Sequence, residues 1–164
     1  MKKLLFMIVL GLCLTSCTET DVAAFADMNG LAGEIYRGAG FDASGIYMEE
    51  VDDDTAFAFG ITEEEFDRRV ENAVCIRQTV DSKGRELYVF EAESASDALW
   101  LAGALYGSYE FAPCDAAEKM TVACAGKHVM LFKSSSAEID QAVESFRALS
   151  GGALRFRKDM NNKA

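Results

Sequence analysis

Apolar residues follow helical spacing in some segments of this chain and form strand-like runs in others. Near the N-terminus they recur at close to the helical period after Asp21, a residue that can cap a helix. The apolar positions of this predicted N-terminal helix are Val22, Phe25, Met28, Ala32, Ile35 and Tyr36. The glycine-containing segment 38–45 is expected to end it.

Farther along the chain, two β-rich runs and a helix follow one another. Residues 74–80 and 86–92 are rich in strand-forming side chains, and the polar residues 81–84 between them predict a hairpin. Ser94 then caps a predicted helix that runs to about Tyr109. The apolar stripe of this helix consists of Ala98, Leu101, Ala102, Leu105 and Tyr109.

The same order of elements occurs a second time. Residues 120–125 and 128–133 predict two strands joined by the two-residue turn Gly126-Lys127. Ser135, together with Glu138, is expected to cap the last helix. The apolar stripe of that helix consists of Ile139, Ala142, Val143, Phe146 and Leu149.

These elements predict an α+β fold. The two β-β-α units are expected to form a two-layer, four-stranded antiparallel sheet with their helices on one face, to which the N-terminal helix is added. A single domain is expected over residues 22–152. The basic segment 153–164 is expected to be a flexible tail.

The second strand of each unit is apolar on both faces, so the sheet face without helices needs a cover. In one interpretation the N-terminal helix covers it through Phe25 and Tyr36. In the other interpretation the face stays open, and Leu87 and Val89 form an interaction surface together with Trp100.

Two other segments have carboxylates for which a structural role is predicted. The acidic run 49–54 lacks the spacing of an EF-hand calcium loop and predicts a solvated surface or a helix N-terminus. Thr62 and Glu65 have the spacing of a capping box, which predicts a short helix. The single histidine, His128, is expected at a solvated strand edge, and no metal or cofactor site is predicted.

The first seventeen residues have the features of an export signal. Lys2 and Lys3 precede the apolar run 4–14, which is too short to span a bilayer as a mature helix. The segment Leu14-Thr15-Ser16-Cys17 is similar to the lipobox of bacterial lipoproteins, in which the cysteine thiol receives a diacylglyceryl group.

Residues 1–16 are therefore predicted to be a lipoprotein signal peptide and residues 17–21 a polar leader. Cys17 is the predicted lipidation site, which would anchor an extracytoplasmic domain to the outer leaflet of the cell membrane. The alternative is an uncleaved N-terminal anchor, or an ordinary signal peptide that happens to contain a cysteine.

A set of landmarks extends from the lipobox to the last helix. They are Cys17, Gly60, Tyr109, Pro113, Gly126, the run 129–132 and Ser134. In this order they resemble an uncharacterised family of small bacterial lipoproteins, mostly Gram-positive, catalogued as a domain of unknown function. The resemblance implies an exported, membrane-anchored domain and supplies no activity or catalytic residue.

The cysteine count leaves the redox state open. After loss of the signal peptide and lipidation of Cys17, three cysteines remain, Cys75, Cys114 and Cys124. A disulfide between Cys114 and Cys124, or between Cys75 and Cys124, would leave one free thiol. Three buried thiols are the other interpretation.

Charge and motifs limit the function. The chain has a net charge of −11, which disfavours binding to nucleic acid. No catalytic constellation is evident, so the favoured hypothesis is a non-catalytic module that binds a protein or ligand of the cell envelope. A thiol-dependent redox or hydrolytic enzyme centred on Cys75, Cys114 or Cys124 is one alternative, and a structural spacer is the other.

Overall fold

A computed structural model describes residues 28–78, 84–113, 115–150 and 153–163. The elements in chain order are α1 (Met28–Gly38), β1 (Ile46–Glu50), α2 (Asp53–Phe57), α3 (Glu63–Arg69), β2 (Val70–Gln78), β3 (Glu86–Ala92), α4 (Ala95–Ser108), β4 (Lys119–Ala125), β5 (His128–Ser134), α5 (Ser136–Leu149) and β6 (Phe156–Asn161). The predicted signal peptide 1–16, the leader 17–21 with Cys17, and Cys114 lie outside the described residues.

The strands form one antiparallel sheet in the order β1-β2-β3-β5-β4-β6. Both predicted hairpins, β2–β3 and β4–β5, are present, and β3 pairs with β5 to join them. The prediction of four strands is wrong, because β1 pairs with β2 and β6 pairs with β4 at the two edges of the sheet. Segment 153–164 therefore contains an edge strand where a flexible tail was predicted.

The two β-β-α helices lie on opposite faces of the sheet, so the prediction that they share one face is wrong. On one face, α4 packs Leu101 and Leu105 against Tyr88 and Phe90 of β3. On the other face, α5 and α1 pack against the alternate β3 residues and their neighbours. Strands apolar on both sides require burial on both sides, which produces three layers.

Local helix signals are confirmed in most places. The Thr62 hydroxyl accepts a hydrogen bond from the Glu65 amide, and Ser94 accepts one from the Asp97 amide. In the acidic run, Asp52 caps α2 by accepting a hydrogen bond of 2.9 Å from the Thr55 amide. Ser135 differs, because its hydroxyl donates to the Glu138 carboxylate at 3.0 Å and caps no backbone amide.

Candidate functional site

The two cysteines that the structure describes are buried and free. Cys75 on β2 and Cys124 on β4 both face the α4 side of the sheet. Two strands, β3 and β5, lie between them, which separates their backbones by roughly 14 Å and excludes a disulfide. The Cys75–Cys124 bridge, one of the pairings that the sequence left open, is therefore wrong. Cys124 is a free thiol, and Cys114 lies outside the described residues.

The environment of these thiols keeps them protonated. Burial raises the pKa of the Cys75 thiol to about 12, an effect that the nearby Arg77 reduces without reversing. Burial likewise raises the pKa of Cys124 to about 11. The thiolate is the nucleophile and the redox-active form of cysteine, so a protonated thiol is unreactive. Neither site has the electropositive, partly open surroundings of a reactive cysteine.

His128 begins β5, opposite Glu91 of β3 and Ala125 of β4. The prediction that His128 is solvated is wrong, because its side chain is half-buried. Its Nδ1 atom has no hydrogen-bond partner within the described part of the chain. Burial lowers the pKa of His128 below its ordinary value, while the Glu91 carboxylate opposes this change. The imidazole is therefore neutral at pH 7.

The predicted interaction surface is wrong for two of its three residues. Leu87 and Val89 point into the layer formed by α1 and α5 and are fully buried there. Trp100 on α4 is half-buried, and the Arg69 guanidinium lies over its ring, 4.2 Å from the centroid. Arg69 also pairs with Asp97 at 2.5 Å, which fixes it beside the indole.

A network of charged and phenolic groups crosses one end of the α4 face. Arg77 on β2 stands opposite Glu86 on β3, which in turn stands opposite Lys133 on β5. Arg77 donates to the Tyr88 hydroxyl at 3.0 Å, and that hydroxyl donates to the Glu86 carboxylate at 3.1 Å. Arg77 also pairs with Glu49, so the network extends to the edge strand β1.

Lys133 connects this row to the segment after α4. Its Nζ atom lies 2.9 Å from Asp115 Oδ2 and 3.2 Å from Glu86 Oε2. Burial alone would lower the pKa of Lys133, but the bond to Asp115 and the charge of Glu86 raise it above its ordinary value. Burial alone would raise the pKa of Asp115, but hydrogen bonds from the Ala117 amide and from Lys133 hold it below its usual range.

These groups brace the sheet through ion pairs and hydrogen bonds between neighbouring strands. Lys133 and Asp115 are both charged at neutral pH, and burial raises the pKa of Tyr109, beside Asp115, to about 12. Each of the charged groups is paired with another member of the network. Strand alternation was visible in the sequence, but it did not show that Arg77, Glu86 and Lys133 lie side by side.

Two large apolar side chains of the described residues are exposed, and they belong to consecutive elements, β1 and α2. Tyr47 of β1 is 56% exposed and Phe57 of α2 is 75% exposed. Tyr47 stands opposite Arg77, which places it on the α4 face of the sheet. The acidic run 49–54 lies between the two aromatic residues. The acidic run was predictable as surface from its composition, whereas no pattern in the sequence indicated that Tyr47 and Phe57 are exposed.

Comparisons with protein-family models, curated proteins and solved structures find no match for this chain. The lipoprotein family resemblance therefore stays a prediction. Among the described helices, none is long and apolar enough to cross a membrane. In the same part of the chain, no group of three or more histidine, cysteine or acidic side chains is arranged to hold a metal ion.

Proposed function

We propose that this protein is a non-catalytic binding module of the cell envelope, held at the membrane by a lipid on Cys17. The observation that carries the proposal is the exposure of Tyr47 on β1, an outer strand of the sheet, and of Phe57 on α2. Burial of a large aromatic side chain away from water is more favourable than burial of a smaller apolar one. Aromatic residues therefore dominate many binding surfaces.

The chemistry of the remaining groups supports binding over catalysis. The rival function, a thiol-dependent enzyme centred on Cys75, Cys114 or Cys124, needs an accessible thiolate. Of these cysteines, the two that the structure describes, Cys75 and Cys124, are buried and protonated. The other alternative, a structural spacer without a partner, does not require the exposed aromatic side chains of Tyr47 and Phe57.

A photo-crosslinking amino acid tests the proposal in the native envelope. We expect a crosslinker at Tyr47 to capture a discrete partner, because the position faces solvent on an outer strand of the sheet. The matched control is a crosslinker at Ala137, which is also exposed but lies in the first turn of α5. Equal labelling at the two positions, or no adduct at Tyr47, would refute the binding function.

A further inference from the structure

We infer that β1 binds an extended, basic segment of a partner polypeptide, which adds to the sheet as a further strand. The inference rests on the proposed binding function and specifies the partner of the same edge. Strand addition requires an edge whose backbone groups are free, side chains that can pack on the incoming strand, and matching charge.

Within the described part of the chain, the backbone geometry of β1 meets the first requirement. The Val51 amide donates to the Ala73 carbonyl at 3.0 Å, and these two residues continue the β1–β2 register. In an antiparallel ladder the residues that bond to the partner strand alternate with residues whose N–H and C=O groups point away. Tyr47 and Glu49 therefore bond to β2, whereas Ile46, Met48 and Glu50 direct their backbone groups outward.

The outward edge is five residues long, from Ile46 to Glu50, and extends for about 17 Å at the rise of an antiparallel strand. It is an outer strand of the sheet, with β2 on its inner side. An added strand of about the same length would satisfy the outward groups of Ile46, Met48 and Glu50 and would pass beside the exposed ring of Tyr47.

The charge around β1 selects a basic partner. Glu50, Asp53 and Asp54 form no ion pair within the described residues, and no basic residue interrupts the segment 46–67. Glu49, by contrast, is neutralised by Arg77. A segment that alternates basic and apolar residues would meet both the carboxylates and the aromatic surface, and attraction between opposite charges would favour its approach.

The other edge of the sheet does not offer the same surface. On β6, Arg157 pairs with Asp140 at 2.7 Å, and Asp159 pairs with Lys119 at 2.8 Å. The Lys158 ammonium lies 5.1 Å from the centre of the Tyr106 ring. Charges that pair within the protein do not select a charged partner.

Proline substitution separates strand addition from other forms of contact. The Met48→Pro variant loses an N–H group that points away from β2, so the β1–β2 ladder is kept and proline is tolerated at such a position. Met48→Ala is the matched control, because it also removes the methionine side chain but keeps the N–H group. Glu50→Pro and Glu50→Ala form a second pair at an exposed position, in case Met48→Pro fails to fold.

The full-length protein in detergent micelles is titrated with a fluorescent peptide of four Lys-Val repeats, and binding is followed by anisotropy. We expect saturable binding that is about tenfold weaker for the proline variant than for its alanine control, the effect of one or two lost backbone hydrogen bonds. A peptide of four Glu-Val repeats should not bind.

Absence of binding, equal affinity in the proline and alanine variants, or binding of the Glu-Val peptide would overturn the inference. So would a wild-type dimer that Met48→Pro dissociates, because the occupant of β1 would then be a second copy of this chain. An adduct at Tyr47 in the envelope without binding of the Lys-Val peptide would refute strand addition and leave the binding function standing. Peptide binding without an adduct would show that β1 accepts a strand and would refute the presence of a partner for it in the envelope.

Discussion

The Lys133 ammonium and the Asp115 carboxylate are joined at 2.9 Å, which ties the segment after α4 to strand β5. The side chains of Lys133 and Asp115 are only 11% and 8% exposed, so water screens this pair weakly. Glu86 lies 3.2 Å from the same ammonium group, and Lys133 therefore neutralises two carboxylates at once.

Replacement of Lys133 by methionine is expected to destabilise the fold. The change keeps much of the side-chain volume but leaves Asp115 without its cationic partner, and breaking a buried ion pair costs about 3 kcal/mol. The free energy of unfolding in urea measures the effect. Lys127→Met is the control, because Lys127 is 48% exposed and lies 3.7 Å from Glu71, and it should cost less than about 0.5 kcal/mol. Equal losses in the two variants would show that the Lys133 network contributes no more than a surface pair.

His128 is expected to make stability depend on pH in a narrow window. Burial lowers the pKa of His128 in the folded state below 6.5, so the unfolded chain binds a proton first as the pH falls. The free energy of unfolding should therefore decline as the pH falls from about 6.5 toward the folded pKa. His128→Gln should flatten the profile in this window, because the chain has a single histidine. An unchanged slope in this variant would contradict the assignment. The imidazole resonances give the folded pKa directly.

The buried thiols are expected to be inert in the folded protein. Cys75 and Cys124 should fail to react with a thiol-specific disulfide reagent at pH 8 and should react fully in denaturant, since burial raises the pKa of each. Rapid modification of either residue under native conditions would revive the thiol-enzyme hypothesis. Mass spectrometry of the labelled peptides separates these two cysteines from Cys114.

Lipidation is predicted at Cys17 and not at the other cysteine of the N-terminal segment. Cys17→Ser should abolish incorporation of labelled palmitate and release the protein from the membrane fraction. Cys13→Ser is the matched control, because Cys13 belongs to the apolar run and should be removed with the signal peptide. Membrane retention of Cys17→Ser would indicate an uncleaved anchor instead.

Truncation tests the role of β6. Removal of residues 155–164 is expected to lower the free energy of unfolding by about 2 kcal/mol, because Phe156 and Met160 pack partly buried against the α4 core. It would also expose the edge of β4. Removal of residues 163–164 alone is the control and should have little effect. Equal stability of the two truncated proteins would show that the segment contributes no stability, as expected of the flexible tail that its composition predicts.

Much of the local structure could be predicted from residues that are close in sequence. The Thr62 and Ser94 caps, the Gly126-Lys127 turn and the apolar stripe of α5 depend on interactions over a few residues, and the structure contains all of them. The φ angle of +56° at Gly126 shows the conformational freedom that this tight turn needs. Spacing alone was sufficient for these elements.

The edge strands could not be predicted in the same way. β1 has the sequence IYMEE and β6 the sequence FRKDMN, and neither has the long apolar run of a central strand. Each becomes a strand because a neighbour supplies a ladder: Met160 lies opposite Met120, and Met48 lies opposite Ile76. The exposure of Tyr47 follows from the position of β1 at the edge, so it also depends on the assembled sheet.

By itself, the sequence determined the two hairpins, the capped helices and the predicted export signal, because short-range periodicity, caps and turn residues act locally. Only the tertiary structure decided that α4 and α5 take opposite faces, that Leu87 and Val89 are buried, and that β1 lies at an edge with the backbone groups of Ile46, Met48 and Glu50 directed away from β2. The physical reason is that strand order and layer order depend on contacts between residues far apart in the chain. The pattern along a single segment does not encode these contacts.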